Sequence, residues 1–370
     1  MEINYLIYSI IIISALLFGQ SGNTPKNRKI FIVFNLSILI LEVVLRSLSV
    51  GSDTHVYYQL FRSFSSMSWG EVWDQFVQRY TVGGTEDIGY ILLVKIIGSI
   101  THSWFVYTFL TDLMFFIPFG KLLYRYTKDF WQLTLGLLIY VTLFHMIALS
   151  GGRQLFAMGF GILSFLYLDQ KKYIKAVLMI VIGALIHQSL LLCLLPIAFS
   201  FLGSKPLKIV HILAFLLIPV VILNVNRILV FMGEVAQNEK FMRYGQQDVV
   251  GGGLTFLALL EICSLLCFIA FQKKQIEQDS SLKNLYTMVP LFTFFAPTIY
   301  SNGSMVRISM YFHLYLVLLM PYVIDRLFPK SRASLYIIII IALMYLGLTA
   351  SGRLEYYFFW QEPELFNYYQ

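Results

Sequence analysis

Apolar residues recur along this chain in long unbroken runs, and polar residues collect in the short gaps between them. Runs such as YLIYSIIIISALLF, FIVFNLSILILEVVL and YIIIIIALMYLGL leave no polar face to meet water. About 20 apolar residues suffice to cross a bilayer core. Irregular backbone cannot face lipid, so each run is predicted to be a helix. The pattern predicts spans near residues 3–19, 30–50, 103–120, 131–150, 154–169, 209–223, 253–271, 284–300, 305–323 and 334–350. Residues 88–101 are apolar but short, and read as a re-entrant or interfacial helix. Residues 174–202 read as two short helices broken near Ala184–His187. The expected fold is an all-α polytopic membrane protein with about 10–14 transmembrane or re-entrant helices, forming a single integral membrane domain over residues 1–370.

Composition supports this class and excludes others. Charged residues make up 13% of the chain, about half the roughly 25% usual in soluble proteins. The net charge of +7 becomes informative once the charges are placed. With the N-terminus outside, the inner loops are 20–29, 121–130, 170–175, 203–208, 272–283 and 324–333, and they hold 17 of the 27 Lys and Arg residues. This is the positive-inside pattern, with both termini outside and the longest polar loops, 51–87 and 224–252, on the outer side. The basic excess is therefore a topology signal, and no nucleic-acid partner is expected. Cys193, Cys263 and Cys267 lie inside apolar runs without partner ligands, so neither a disulfide framework nor a metal cluster is expected. No basic segment precedes the first run, so no removed signal peptide is expected. The stretch DTHVYYQLFRSFSSMSWGEVWDQF carries aromatics at helical spacing and reads as an amphipathic helix along the outer surface.

The remaining ionisable groups fall mostly on the outer side. Asp53 and His55 follow the second span, Glu86 and Asp87 close the first outer loop, and His145 ends the fourth long span. Arg153 and Gln154 open a helix after Gly151-Gly152, His187 sits at the break of a helical hairpin, and Arg307 opens a later span after SNGSM. A helix start offers unpaired N–H groups and a positive dipole end to an anion. An arginine adds a planar donor fork suited to phosphate. Two such starts suit a diphosphate, although each arginine also fits a lipid headgroup anchor. Asp53 and His187 are candidates for proton transfer; Asp53 equally suits a helix cap, and His187 a satisfied histidine at a helix break. Asp112 and Glu261 lie mid-span, where acids are costly. They read either as a proton path or as hydrogen-bonded helix contacts, with Lys95 or the many tyrosines as partners. Trp69, Trp73 and Tyr80 suit stacking on sugars or anchoring at the interface.

Five segments in order, GSDTHVYYQLF, TEDIGYILLVKII, GGRQLFA, KKYIKAVLMIVIGALIHQS and VRISMYFHLYLVLLMP, resemble the EpsG-like family of extracellular-polysaccharide polymerases. This is a Wzy-type group of integral membrane glycosyltransferases, and the resemblance runs from about Leu41 to Pro321. It implies a GT-C-like fold in the bacterial plasma (inner) membrane. It also implies transfer of a glycan from undecaprenyl diphosphate to a lipid-linked repeat unit at the outer face, for an exopolysaccharide or capsule. The matching positions are Asp53, Glu86, Arg153, His187 and Arg307. Asp53, His187 and Glu86 are then the catalytic candidates, and Arg153, Arg307 and Gln154 the diphosphate-binding set. The motif has Gly152 where a bulkier apolar residue is expected, and no residue of the tail is assigned a role. The implied partners are the undecaprenyl-diphosphate-linked oligosaccharide and the bilayer, with a chain-length regulator and a flippase of the same pathway. No cofactor is expected; a divalent cation near Asp53 is compatible with the sequence, but no carboxylate pair at ligand spacing demands it. A membrane glycan ligase or acyltransferase would use the same outer site, and a transporter of lipid-linked oligosaccharide would depend on Asp112 and Glu261.

Overall fold

A computed structural model describes residues 3–81, 87–150, 152–235, 253–300, 306–351 and 355–368, together with Met242 and Gln246. Among these residues the chain is helical without strands, as the pattern predicts. The helices are α1 (Ile3–Gln20), α2 (Pro25–Leu45), α3 (Thr54–Ser66), α4 (Trp69–Thr81), α5 (Ile88–Gly98), α6 (Trp104–Tyr126) and α7 (Phe130–Leu143). They continue as α8 (Met146–Ser150), α9 (Gly152–Asp169), α10 (Tyr173–Ile186), α11 (Leu194–Ser200), α12 (Ser204–Val235) and α13 (Leu254–Ala270). The last are α14 (Lys273–Gln278), α15 (Ser280–Phe295), α16 (Val306–His313), α17 (Leu316–Leu327), α18 (Arg332–Ser351) and α19 (Pro363–Tyr368).

Local chemistry explains most starts. Thr24 caps α2 by accepting from Asn27 N at 3.1 Å, with Pro25 in the first turn. Ser103 and Asp129 cap α6 and α7 in the same way. The predicted surface helix of the first outer loop is two helices, because a capping box interrupts it. The Glu71 carboxylate accepts from Ser68 N at 2.5 Å, and Ser68 Oγ accepts from Glu71 N at 3.2 Å. These bonds to Ser68 hold the Glu71 carboxyl below its usual range. Trp69 and Trp73 are exposed, whereas the Tyr80 side chain lies outside the described residues.

Other predicted elements change at their ends. Residues 224–235, read as loop, continue α12. The 131–150 run breaks at Phe144–His145, so α7 has 14 residues and is about 21 Å long, short of a core about 30 Å thick. The 305–323 run bends by 49° between α16 and α17. Among the described residues, four helices are long and apolar enough to span alone, or five if the bent pair counts as one.

The chain forms two compact units, Met1–Leu192 with Lys330–Gln370, and Cys193–Pro329. In the first, α6 packs between α2 and α9, α10 lies on α9, and α18 on α7. Its core is aromatic: Phe115, Phe119 and Tyr140 stack between α6 and α7. In the second, α15 is central, touching α12, α13 and α16. There His211 lies between Tyr286 Oη at 2.6 Å and Ser264 Oγ at 2.8 Å, which satisfies a buried imidazole.

Within each unit, loops assigned to one side meet one another. In the first, Asn23 Nδ2 donates to Lys128 O at 3.0 Å, Arg28 donates to Thr127 O at 2.6 Å, and Arg332 pairs with Asp129 at 2.5 Å. At the other end, Thr54 Oγ1 donates to Leu149 O at 2.9 Å and Ser47 N to Tyr357 O at 2.8 Å. In the second unit, Ser204 bonds Glu277, and Arg326 donates to Gln272 Oε1 at 3.3 Å.

Candidate functional site

The first unit gathers its reactive groups where α5, α9 and α10 begin or end. Asp87 occupies the N-cap position of α5 but makes no side-chain cap bond. Its Oδ2 stands 4.0 Å from a guanidinium nitrogen of Arg153 and 3.8 Å from His187 Nδ1. Arg153 lies in the first turn of α9, and His187 is the C-cap residue of α10. The three side chains are 17%, 13% and 30% exposed, so the cluster is partly withdrawn from solvent yet reachable. The Arg153 guanidinium also lies over the Tyr90 ring, 5.3 Å from its centroid. Tyr107 Oη donates to Tyr90 Oη at 3.2 Å and so fixes that ring from behind.

Close backbone approach makes this meeting possible. A Cβ at Gly89 would stand 2.5 Å from Leu185 O, so glycine lets the start of α5 touch the end of α10. A Cβ at Gly159 would stand 2.0 Å from Met114 O, which sets α9 directly against α6. Gly152, where a bulkier residue was expected, would place a Cβ 3.2 Å from three atoms of the Tyr57 ring. The first turn of α3 therefore rests on the start of α9. Gly51 anchors that turn: its φ is +89°, and a Cβ there would meet Leu149 O at 2.0 Å.

Arg153 and His187 come together around one carboxylate. Asp53 stands at the start of α3, half-exposed, and its carbonyl accepts from Tyr57 N at 3.0 Å. Gln154 is buried beside Arg153. Glu86 lies outside the described residues. Arg307 belongs to the second unit, where it is exposed in the first turn of α16; the SNGSM segment before it lies outside the described residues. Asp87, the acid next to the selected Glu86, is the residue that sequence reasoning passed over as a site group. The only signal was its place before an apolar helix, which a cap explains equally well.

The mid-span acids sort differently. Asp112 is buried within electrostatic reach of Arg46, itself buried, and Arg46 also acts on Glu42. Glu42 Oε2 lies 2.7 Å from His145 Nε2. Asp112 Oδ2 has no hydrogen-bond partner among the described residues, so Asp112 sits near a buried cation without a hydrogen-bonded helix contact at that atom. Lys95, an expected partner, instead donates to Ser65 O at 3.1 Å. No bond reaches the Glu261 carboxylate oxygens among the described residues. No group of three or more metal-ligating side chains occurs among them either.

Chemically, a carboxylate held by a guanidinium and facing one imidazole nitrogen can orient a base, and the arginine at a helix start can meet an anion. An all-α membrane chain thus carries this cluster at the ends of its helices. The model of the EpsG family matches residues 29–361, nearly the whole chain. The chain belongs to this family of exopolysaccharide polymerases, whose activity is of the polymerase or glycosyltransferase type and whose membership implies a lipid-linked oligosaccharide substrate. No curated protein and no solved structure matches it.

Proposed function

We propose that the chain polymerises an extracellular or capsular polysaccharide, transferring a glycan from undecaprenyl diphosphate to a lipid-linked repeat unit at the outer face of the plasma membrane. The observation that carries this reading is the Asp87 carboxylate placed between Arg153 and His187. The acceptor hydroxyl oxygen attacks the anomeric carbon, and the carbon–oxygen bond to the diphosphate breaks. The bonding electron pair leaves with the undecaprenyl diphosphate. Arg153 and the start of α9 balance the charge on that leaving group. His187 Nε2 takes the hydroxyl proton while Asp87 steadies the imidazolium that forms. Asp53, on the neighbouring α3, is the alternative base. In the second unit Arg307 offers an anion the same chemistry by itself.

The outer-face assignment draws on the basic loops meeting at the opposite end of each unit, since such loops stay cytoplasmic. Both termini then lie outside. Substituting Arg153→Ala in cells and separating the glycans by size tests the transfer. Single repeat units should accumulate on lipid while longer chains disappear. Chains of normal length would overturn the reading, whereas long chains retained on lipid would indicate a ligase.

A further inference from the structure

A second feature of the same unit is a cavity against α3. It encloses about 430 Å³, within the roughly 300–1,000 Å³ of small-molecule sites. Its floor is made of buried rings, Tyr58, Phe61 and Trp104, with Phe105 and Phe366 half-buried beside them. Its rim is polar and exposed, formed by Arg62, Ser66 and His102. An apolar floor under a rim of hydrogen-bonding groups suits a sugar, which presents a patch of C–H bonds within a belt of hydroxyls. An acyl chain would use none of the hydrogen-bonding groups of that rim.

The cavity is joined to the charged cluster through α3 and a chain of rings. Tyr58 lines the cavity, while the adjacent Tyr57 packs on Gly152 and on the Tyr90 ring. Phe61 stacks on Tyr107 with centroids 4.5 Å apart, and Tyr107 bonds Tyr90, the ring beneath Arg153. The tail supplies the remaining wall. Phe366 enters the cavity as Tyr58 Oη donates to Phe366 O at 3.4 Å.

We infer that this cavity is a glycan subsite, holding a short oligosaccharide segment of the chain being built while transfer takes place at the charged cluster. The inference rests on the transferase reading, and it assigns a binding role to the tail residue Phe366 and to Arg62. Both groups act on the glycan rather than on the diphosphate.

The test uses the full chain in detergent and, as probe, oligosaccharides made by mild acid hydrolysis of the host's own exopolysaccharide. Calorimetric titration should show binding that weakens at least tenfold in Arg62→Ala and in Phe366→Ala. Ser66→Trp fills the cavity from an exposed position, leaves the packed rings in place, and should abolish binding. Cells carrying Ser66→Trp should make shorter chains. Equal binding by all variants, or normal chain length with Ser66→Trp, overturns the inference. So does binding to vesicles containing phosphatidylglycerol that is lost in Arg62→Ala while the oligosaccharide does not bind, since that identifies a lipid headgroup site. Failure of the transferase reading is read separately, from normal chains in Arg153→Ala.

Discussion

Asp87 Oδ2 lies 3.8 Å from His187 Nδ1, although the two residues cap different helices, one at the start of α5 and the other at the end of α10. The same oxygen faces Arg153, so one carboxylate ties a candidate base to a candidate anion site. Asp87→Asn keeps the shape and removes the charge. Polymer formation in cells should fall by roughly 10²–10⁴, with lipid-linked single repeats accumulating. A normal size distribution would remove Asp87 from the mechanism.

The buried Glu42–His145 contact predicts a stability effect instead. Glu42 faces both His145 and the buried Arg46, whereas His145 faces only one of those charges among the contacts described. Removing one partner of a buried pair destabilises by about 3–5 kcal/mol. Glu42→Ala should therefore lower the thermal unfolding midpoint in detergent more than His145→Ala does. Equal midpoints would show that Arg46 is neutralised elsewhere.

Two glycines separate backbone strain from steric contact. Gly22 has φ +92° with open space where a Cβ would stand, whereas Gly51 has φ +89° and Leu149 O in the way. Gly22→Ala should cost about 1–2 kcal/mol. Gly51→Ala should cost more and shift α3, read as faster amide exchange over residues 54–66. Comparable effects of the two would mean that the Leu149 contact is easily relieved.

The tail should release at alkaline pH. Tyr356 Oη donates to Glu42 O at 2.6 Å, and burial, reinforced by the Glu42 carboxylate, raises its pKa above the ordinary 10.0. A phenol whose folded pKa is raised stabilises the docked state fully below the unfolded value. That contribution is lost as pH rises above it. Proteolysis of the tail should quicken above about pH 10, and Tyr356→Phe should flatten that dependence while weakening docking at neutral pH. An unchanged profile in the phenylalanine variant would assign the release to another group.

The helices were legible because lipid permits few backbone solutions. The run of apolar residues alone predicts α1, α13 and α18 to within two residues, while α6 continues through Tyr126 into the stretch read as an inner loop. Breaks such as Phe144–His145 were not legible, because they depend on Glu42 pairing with His145 across two helices rather than on a local stop signal. The capping box at Ser68 and Glu71 was readable in principle, since its spacing is local, but the aromatic periodicity continues straight through it.

For the site, sequence determined which side chains could do chemistry and that Arg153 opens a helix. It could not choose between Glu86 and Asp87, since both precede α5 and both suit a cap. Asp87 is brought to Arg153 and His187 by the approach of α5 to α10 at Gly89 and of α9 to α6 at Gly159, contacts between helices distant in sequence. The tail shows the same division. Its aromatic residues were visible from the start, yet only their docking against α3 reveals a cavity. By itself the sequence determined membrane class, helix positions and the sorting of charge, because each follows from the energetics of single segments in lipid. Tertiary structure decided which charges face one another, because that depends on how closely two backbones can approach.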